Sequence, residues 1–179
     1  GSLFPARYSF EAKTTLAKAL ESMVSKARSE NELNGLNQGY LKFTPFQILT
    51  IASMVQIEGD PSNFDKVARV IYNRLKIGMA LQLNSTIQYA NNSRGNIMLT
   101  LKETRINSPF NTYKRVGLPP TPISNPSTAA VKASLNPAPG DWLYFITVAP
   151  GDTRSTKNFV EFSNWNTEFN NNVAAGKFK

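Results

Sequence analysis

Neither cysteine nor histidine occurs among the 179 residues. Their absence removes thiol nucleophiles, Ser-His triads and thiolate or imidazole metal sites together, and leaves carboxylates to carry any acid-base work. No cofactor and no metal are expected. Without cysteine the redox compartment cannot be read. No apolar run is long enough to span a bilayer, and the 20 basic residues are spread along the chain rather than gathered among aromatics, which disfavours a nucleic-acid groove. Internal repeats and low-complexity segments are also lacking.

What is present is enough to build a core. At 41% hydrophobic content the chain suits one domain. The net charge of +8 suits a polyanionic neighbour such as nucleic acid, an acidic glycan or an anionic membrane surface, without choosing among them. Gly1-Ser2 reads as an expression scar. The abrupt start at LFPARYSFE suggests that an N-terminal part, with any anchor, lies outside residues 3–179.

The stretch from Thr44 to Asp60 carries the strongest signal. Thr44 is a suitable N-cap, Pro45 fits the first helical position, Gln47 completes a capping box, and Gly59 supplies a stop. Ile48, Ile51, Ala52 and Val55 form a stripe at helical spacing. Glu58 falls three residues after Val55 and seven after Ile51, which puts a carboxylate on the buried face, while Gln56 points elsewhere. Burial and the negative end of the helix dipole both disfavour the charged form and raise the pKa. A carboxyl group protonated near neutral pH can act as general acid at a glycosidic bond. The plain alternative is a helix-end glutamate that turns to solvent or pairs with Lys or Arg.

Around this helix, LFPARYSFE is expected as a short strand or extended arm, followed by a helix from Thr14 or Thr15 to about Arg28 and a polar loop over Asn31–Lys42. A further helix over about Pro61–Lys76, with Gly78 beyond it, should form a hairpin with the first. Leu81–Tyr89 reads as a connector ending in a short helix, Asn91–Asn96 as loop, and Thr100–Glu103 as a capping box. Ser108–Pro126 carries five prolines and should be irregular but packed. Asn125-Pro126 opens a helix to about Leu135. Trp142–Ala149 is the strongest strand signal, with Asn158–Ser163 as its expected antiparallel partner and Ser163 capping a terminal helix. Helices first and a late hairpin indicate α+β. Asp60, Asp65, Glu103 and Glu161 are expected in structural positions, Glu161 on the solvent face of a strand.

LFPARYSF, IASMVQIE, VARVIYNRLKIGMALQ, STIQY, SPFNTYKRVGLPPTPISNP and LNPAPGDWLYF together resemble, in order and spacing, the YceG-like endolytic murein transglycosylases. The resemblance runs from Leu3 to nearly the end. It implies a single catalytic domain with a helical, lysozyme-like core and a small antiparallel sheet. The implied reaction is lytic cleavage of peptidoglycan glycan strands between N-acetylmuramic acid and N-acetylglucosamine, leaving 1,6-anhydro ends. Glu58 matches the second glutamate of the family's EKE triplet, and Gln56 replaces the first.

The resemblance also suggests substrate-binding positions. Gln82 and Thr86 match the family's QSDPT-type stretch, in which Leu83, Asn84 and Ser85 depart from the pattern, with Ser85 kept as a candidate. Asn111, Thr112 and Tyr113 match its YNTY core, and Asn111 is the best candidate for an N-acetyl or hydroxyl contact. Thr121 stands where the family has a glycine, and Phe169 where it usually has a histidine. A hydrolytic muramidase and a non-catalytic glycan-binding or scaffold module are the alternatives. A membrane-anchored protein at the extracytoplasmic face, working beside peptidoglycan synthases, is what the resemblance implies for location and partners.

Overall fold

The computed structural model describes residues 1–93 and 99–178. The loop expected over Asn91–Asn96 runs into residues 94–98, outside the described residues. The remainder is α+β, with a helical core and one two-stranded antiparallel sheet.

The helix α2, Pro45–Glu58, forms where its signals place it. The Thr44 hydroxyl accepts from the Gln47 amide at 3.3 Å and the Gln47 side chain accepts from the Thr44 amide at 2.9 Å, a complete capping box. It is more deeply placed than a one-stripe helix, because every residue from Thr50 to Val55 is buried. Full burial of Ile48, Ile51, Met54 and Val55 stabilises the fold by roughly 1.5–3 kcal/mol per side chain. The buried Ser53 hydroxyl accepts from the Ile123 amide at 3.0 Å, and Gln56 Oε1 accepts from the Ser127 amide at 2.8 Å, so the polar side chains of α2 fasten the proline-rich segment.

Gly59 ends α2 in extended conformation, at φ −124°, rather than in the left-handed one that a helix stop suggests. Its need is for space: a Cβ there would lie 2.8 Å from Asn63 Oδ1 and 3.1 Å from Val67. The chain then reverses into α3, Phe64–Lys76, which packs on α2 through Phe64, Val67, Ala68 and Ile71. Gly78, at φ +68°, provides the left-handed turn after α3.

Ahead of these, α1 spans Leu16–Leu33 under a Thr15 cap, five residues beyond its expected end. LFPARYSFE forms an irregular arm and not a strand, bonded from the Phe4 amide to the Met23 carbonyl. After α3 come the short α4, Asn84–Ala90, and a 3-10 turn at Glu103–Arg105 that begins from the expected Thr100 capping box. Helix α5, Thr128–Leu135, starts at a Ser127 cap, two residues after the Asn125-Pro126 pair expected to open it.

The C-terminal part differs most from expectation. Strand β1, Tyr144–Ala149, pairs with β2, Asp152–Thr156, and not with Asn158–Ser163. Gly151, at φ +80°, allows a tight reversal, and the β-branched residues in DTRST make a usable second strand. Asn158 then caps α6, Phe159–Ala174, accepting from the amides of Val160 and Glu161. Ser163 is interior to that helix. Glu161 lies in its first turn, where an acid suits the dipole, and not on a strand face.

Residues 137–143 strap this β1-β2-α6 unit to one face of α3. Arg69 donates to the Ala138 and Pro137 carbonyls, Asn73 to those of Gly140 and Trp142, and Arg74 Nε to Leu143 at 2.6 Å.

Candidate active site

A cleft of about 560 Å³ lies between the helical core and the β1-β2-α6 unit. Glu58, from the last turn of α2, lines it together with Arg74, Gln82, Asn84, Ser85 and Tyr113 on the core side. The opposite side carries Tyr144 to Thr147 and residues of α6. Glu58 is the sole carboxylate among the described lining residues. A larger hollow of about 820 Å³ adjoins through Ile57, Ser85 and Gln88, but no charged side chain is among its described lining residues. Of the two, only the smaller cleft has a carboxyl group among its described lining residues.

Glu58 is partly exposed to this cleft, yet its carboxyl group is packed closely enough for burial to push the pKa up. Three effects oppose that shift: the Ser85 hydroxyl and the Ser85 amide, both donating to Oε1, and the nearby positive charge of Arg74. The amide bond is 3.1 Å. Oε2 has no partner among the described residues, so one oxygen is anchored and the other is not.

Arg74 is absent from the positions expected from the sequence, although its pattern is the same as that of Glu58. It falls three residues after Ile71 and seven after Val67, on the apolar stripe of α3, and it is only 7% exposed. No carboxylate among the described residues lies within ion-pair distance. Its guanidinium is held instead by the Leu143 and Leu81 carbonyls, at 2.6 and 2.5 Å, and sits 5.5 Å from the Tyr144 ring centroid. It thus joins both sides of the cleft beside the carboxyl group.

The other sequence-derived positions divide into cleft residues and residues behind the cleft. Gln82, Ser85 and Tyr113 line it, the Tyr113 hydroxyl donating to Asn84 Oδ1. Burial and the Glu58 charge raise the Tyr113 pKa. Asn111 does not line the cleft. It is fully buried: its amide donates to the Thr104 and Ile106 carbonyls at 3.1 and 2.8 Å, and its oxygen accepts from the Tyr113 and Lys114 amides. Thr86 and Thr112 are likewise internal, with hydroxyls 2.8 Å apart, and Thr112 Oγ1 accepts from the Leu83 amide. These three residues shape the loop that presents Gln82, Ser85 and Tyr113. Phe169 lines the cleft from α6.

Residues 1–175 match the model of the YceG-like family. An endolytic murein transglycosylase of Bacillus subtilis is 36% identical over 90% of the chain and 45% of its own length. One from Streptococcus pneumoniae is 36% identical over 97% of the chain and 31% of its own length. A crystal structure of a YceG-like protein from Listeria monocytogenes superposes with a TM-score of 0.81 at 31% identity, covering 92% of this chain and 53% of that one. The chain thus spans less than half the length of these curated relatives. With the family model matched over almost all its residues and its fold shared with that structure, the chain belongs to the YceG-like family.

Proposed function

We propose that this domain is a peptidoglycan lytic transglycosylase that cuts the β-1,4 bond between N-acetylmuramic acid and N-acetylglucosamine within glycan strands, with Glu58 as the sole acid and base. The observation that carries this reading is a carboxyl group in an open cleft, one oxygen fixed by Ser85 and the other without a partner among the described residues, with burial favouring its protonated form. The names of the curated relatives agree with it.

Glu58 donates its proton to the bridging oxygen as the bond from that oxygen to C1 of muramic acid breaks. The C6 hydroxyl of the same muramic acid attacks C1 and returns its proton to Glu58. No water is consumed, and the product carries a 1,6-anhydro end. Such a route needs one carboxyl group, whereas hydrolysis ordinarily needs two, and a second carboxylate is lacking among the described cleft residues. Arg74 steadies the carboxylate that exists between the two proton transfers.

The proposed location is the extracytoplasmic face of the plasma membrane, beside the synthases that make the strands. This follows from the substrate and not from any described helix, none of which is long and apolar enough to cross a membrane. Mass spectrometry of digested glycan strands tests the reaction. Anhydro ends support it, reducing muramic ends indicate a muramidase, and uncut strands indicate a binding module. Glu58→Gln should abolish cleavage in a folded protein, and full activity in that variant overturns the mechanism.

A further inference from the structure

Helix α6 carries a stripe with no evident role in the core. Phe159, Phe162, Asn166 and Phe169 recur at spacings of three, four and three, which puts them on one helical face, and all four line the cleft opposite Glu58. Phe159 is 62% exposed, so the stripe is not ordinary core packing. Tyr144 of β1 extends it: its ring lies 5.0 Å from Phe162 and 5.7 Å from Phe159, centroid to centroid. Phe169 is held edge-on by Phe178 at 5.3 Å. In the middle stands Asn166, exposed, its amide without a hydrogen bond among the described residues.

We infer that this face is a sugar-binding platform for N-acetylhexosamine units of the strand, a subsite that rests on the function proposed above. The apolar C–H face of a pyranose covers an exposed aromatic ring, removing both from water. A free amide between aromatic rings offers a donor and an acceptor to an acetamido group. The stripe has no charge, so it suits the neutral sugar and not the anionic substituent of muramic acid. From Phe159 to Phe169 it extends about 15 Å along the helix, which is longer than one pyranose ring. Its continuity with the wall facing Glu58 selects the glycan strand as occupant.

The test uses the Glu58→Gln protein, which binds without cutting, titrated calorimetrically with a β-1,4-linked N-acetylglucosamine tetramer and with purified glycan strands. Phe159→Ala and Asn166→Ala should each weaken binding, the former roughly tenfold for loss of ring coverage. Phe159→Trp should retain it. Val160→Ala alters a side chain that is 67% exposed and does not line the cleft, and should bind as the parent does. Both Phe159 and Asn166 are exposed, so these variants should fold. In the cutting enzyme, Phe159→Ala should raise KM and leave kcat nearly unchanged. Parent-like binding by both alanine variants overturns the platform while leaving the proposed function intact. Failure of the parent to bind either glycan overturns the function and the platform with it.

Discussion

Ser85 gives both its backbone N–H and its hydroxyl to the same oxygen of Glu58, Oε1, and so leaves Oε2 without a hydrogen bond among the described residues. Because these bonds favour the charged carboxylate, they moderate a pKa that burial alone would carry higher. Ser85→Ala removes the hydroxyl donor. Glu58 should then hold its proton to higher pH, so the alkaline limb of kcat/KM moves upward while kcat falls about tenfold through lost positioning. A pH-rate profile of the variant checks both effects, and an unmoved limb would mean that another group sets it.

The same raised pKa links folding to pH. Folded Glu58 binds its proton more tightly than the unfolded group, whose ordinary value is 4.5, so protonation favours the native state. The stabilising contribution is complete below that value and is lost as pH rises through the folded pKa. Urea midpoints measured against pH should show native protein losing stability relative to Glu58→Gln across that window, with a slope of at most about 1.4 kcal/mol per pH unit.

Arg74→Met would leave the Leu143 and Leu81 carbonyls without their buried donor. The expected cost is about 2–4 kcal/mol in urea unfolding. Arg74→Lys should fall between the two, since a single ammonium cannot reproduce the guanidinium fork. Removing the positive charge should also raise the Glu58 pKa, visible as a further upward shift of the alkaline limb in whatever fraction remains folded.

Gln82 adopts φ +49°, a left-handed conformation that disfavours side chains with a Cβ. Gln82→Gly should therefore keep stability or gain up to about 1 kcal/mol. A fall in cleavage alongside an undiminished melting temperature would isolate a contact from the Gln82 side chain to substrate. Unchanged cleavage would show that the amide is dispensable.

Asn111→Ala should act through the loop. It strips partners from the Thr104 and Ile106 carbonyls and from two amides, and should cost about 2–3 kcal/mol. Thermal melting should register that loss directly.

The helices that hold the site could be read in the sequence because their signals are local. Thr44, Gln47 and the Ile51-Val55-Glu58 spacing identify α2 and the acid at its end without reference to anything else. Arg74 is equally marked by its place on the α3 stripe, but a basic residue near a helix C-terminus is also what the dipole alone favours, so the pattern by itself does not assign it to a cleft. Asn158–Ser163 has the composition of a strand, because Phe159, Val160 and Phe162 suit one at short range. The decisive facts were the Asn158 cap and the partner already available in DTRST. Whether Asn111 faced substrate or loop depended on tertiary placement, which no local pattern encodes.

The strap along α3 has a consequence for how this site can diverge. Arg69, Asn73 and Arg74 fix one wall of the cleft to the other by side-chain reach, through carbonyls of residues 137–143. The gape of the cleft is thus set like a caliper by one helix. A shorter or longer side chain at position 69 or 73 would change the width of the cleft, while the carboxyl group on α2 stayed where it is.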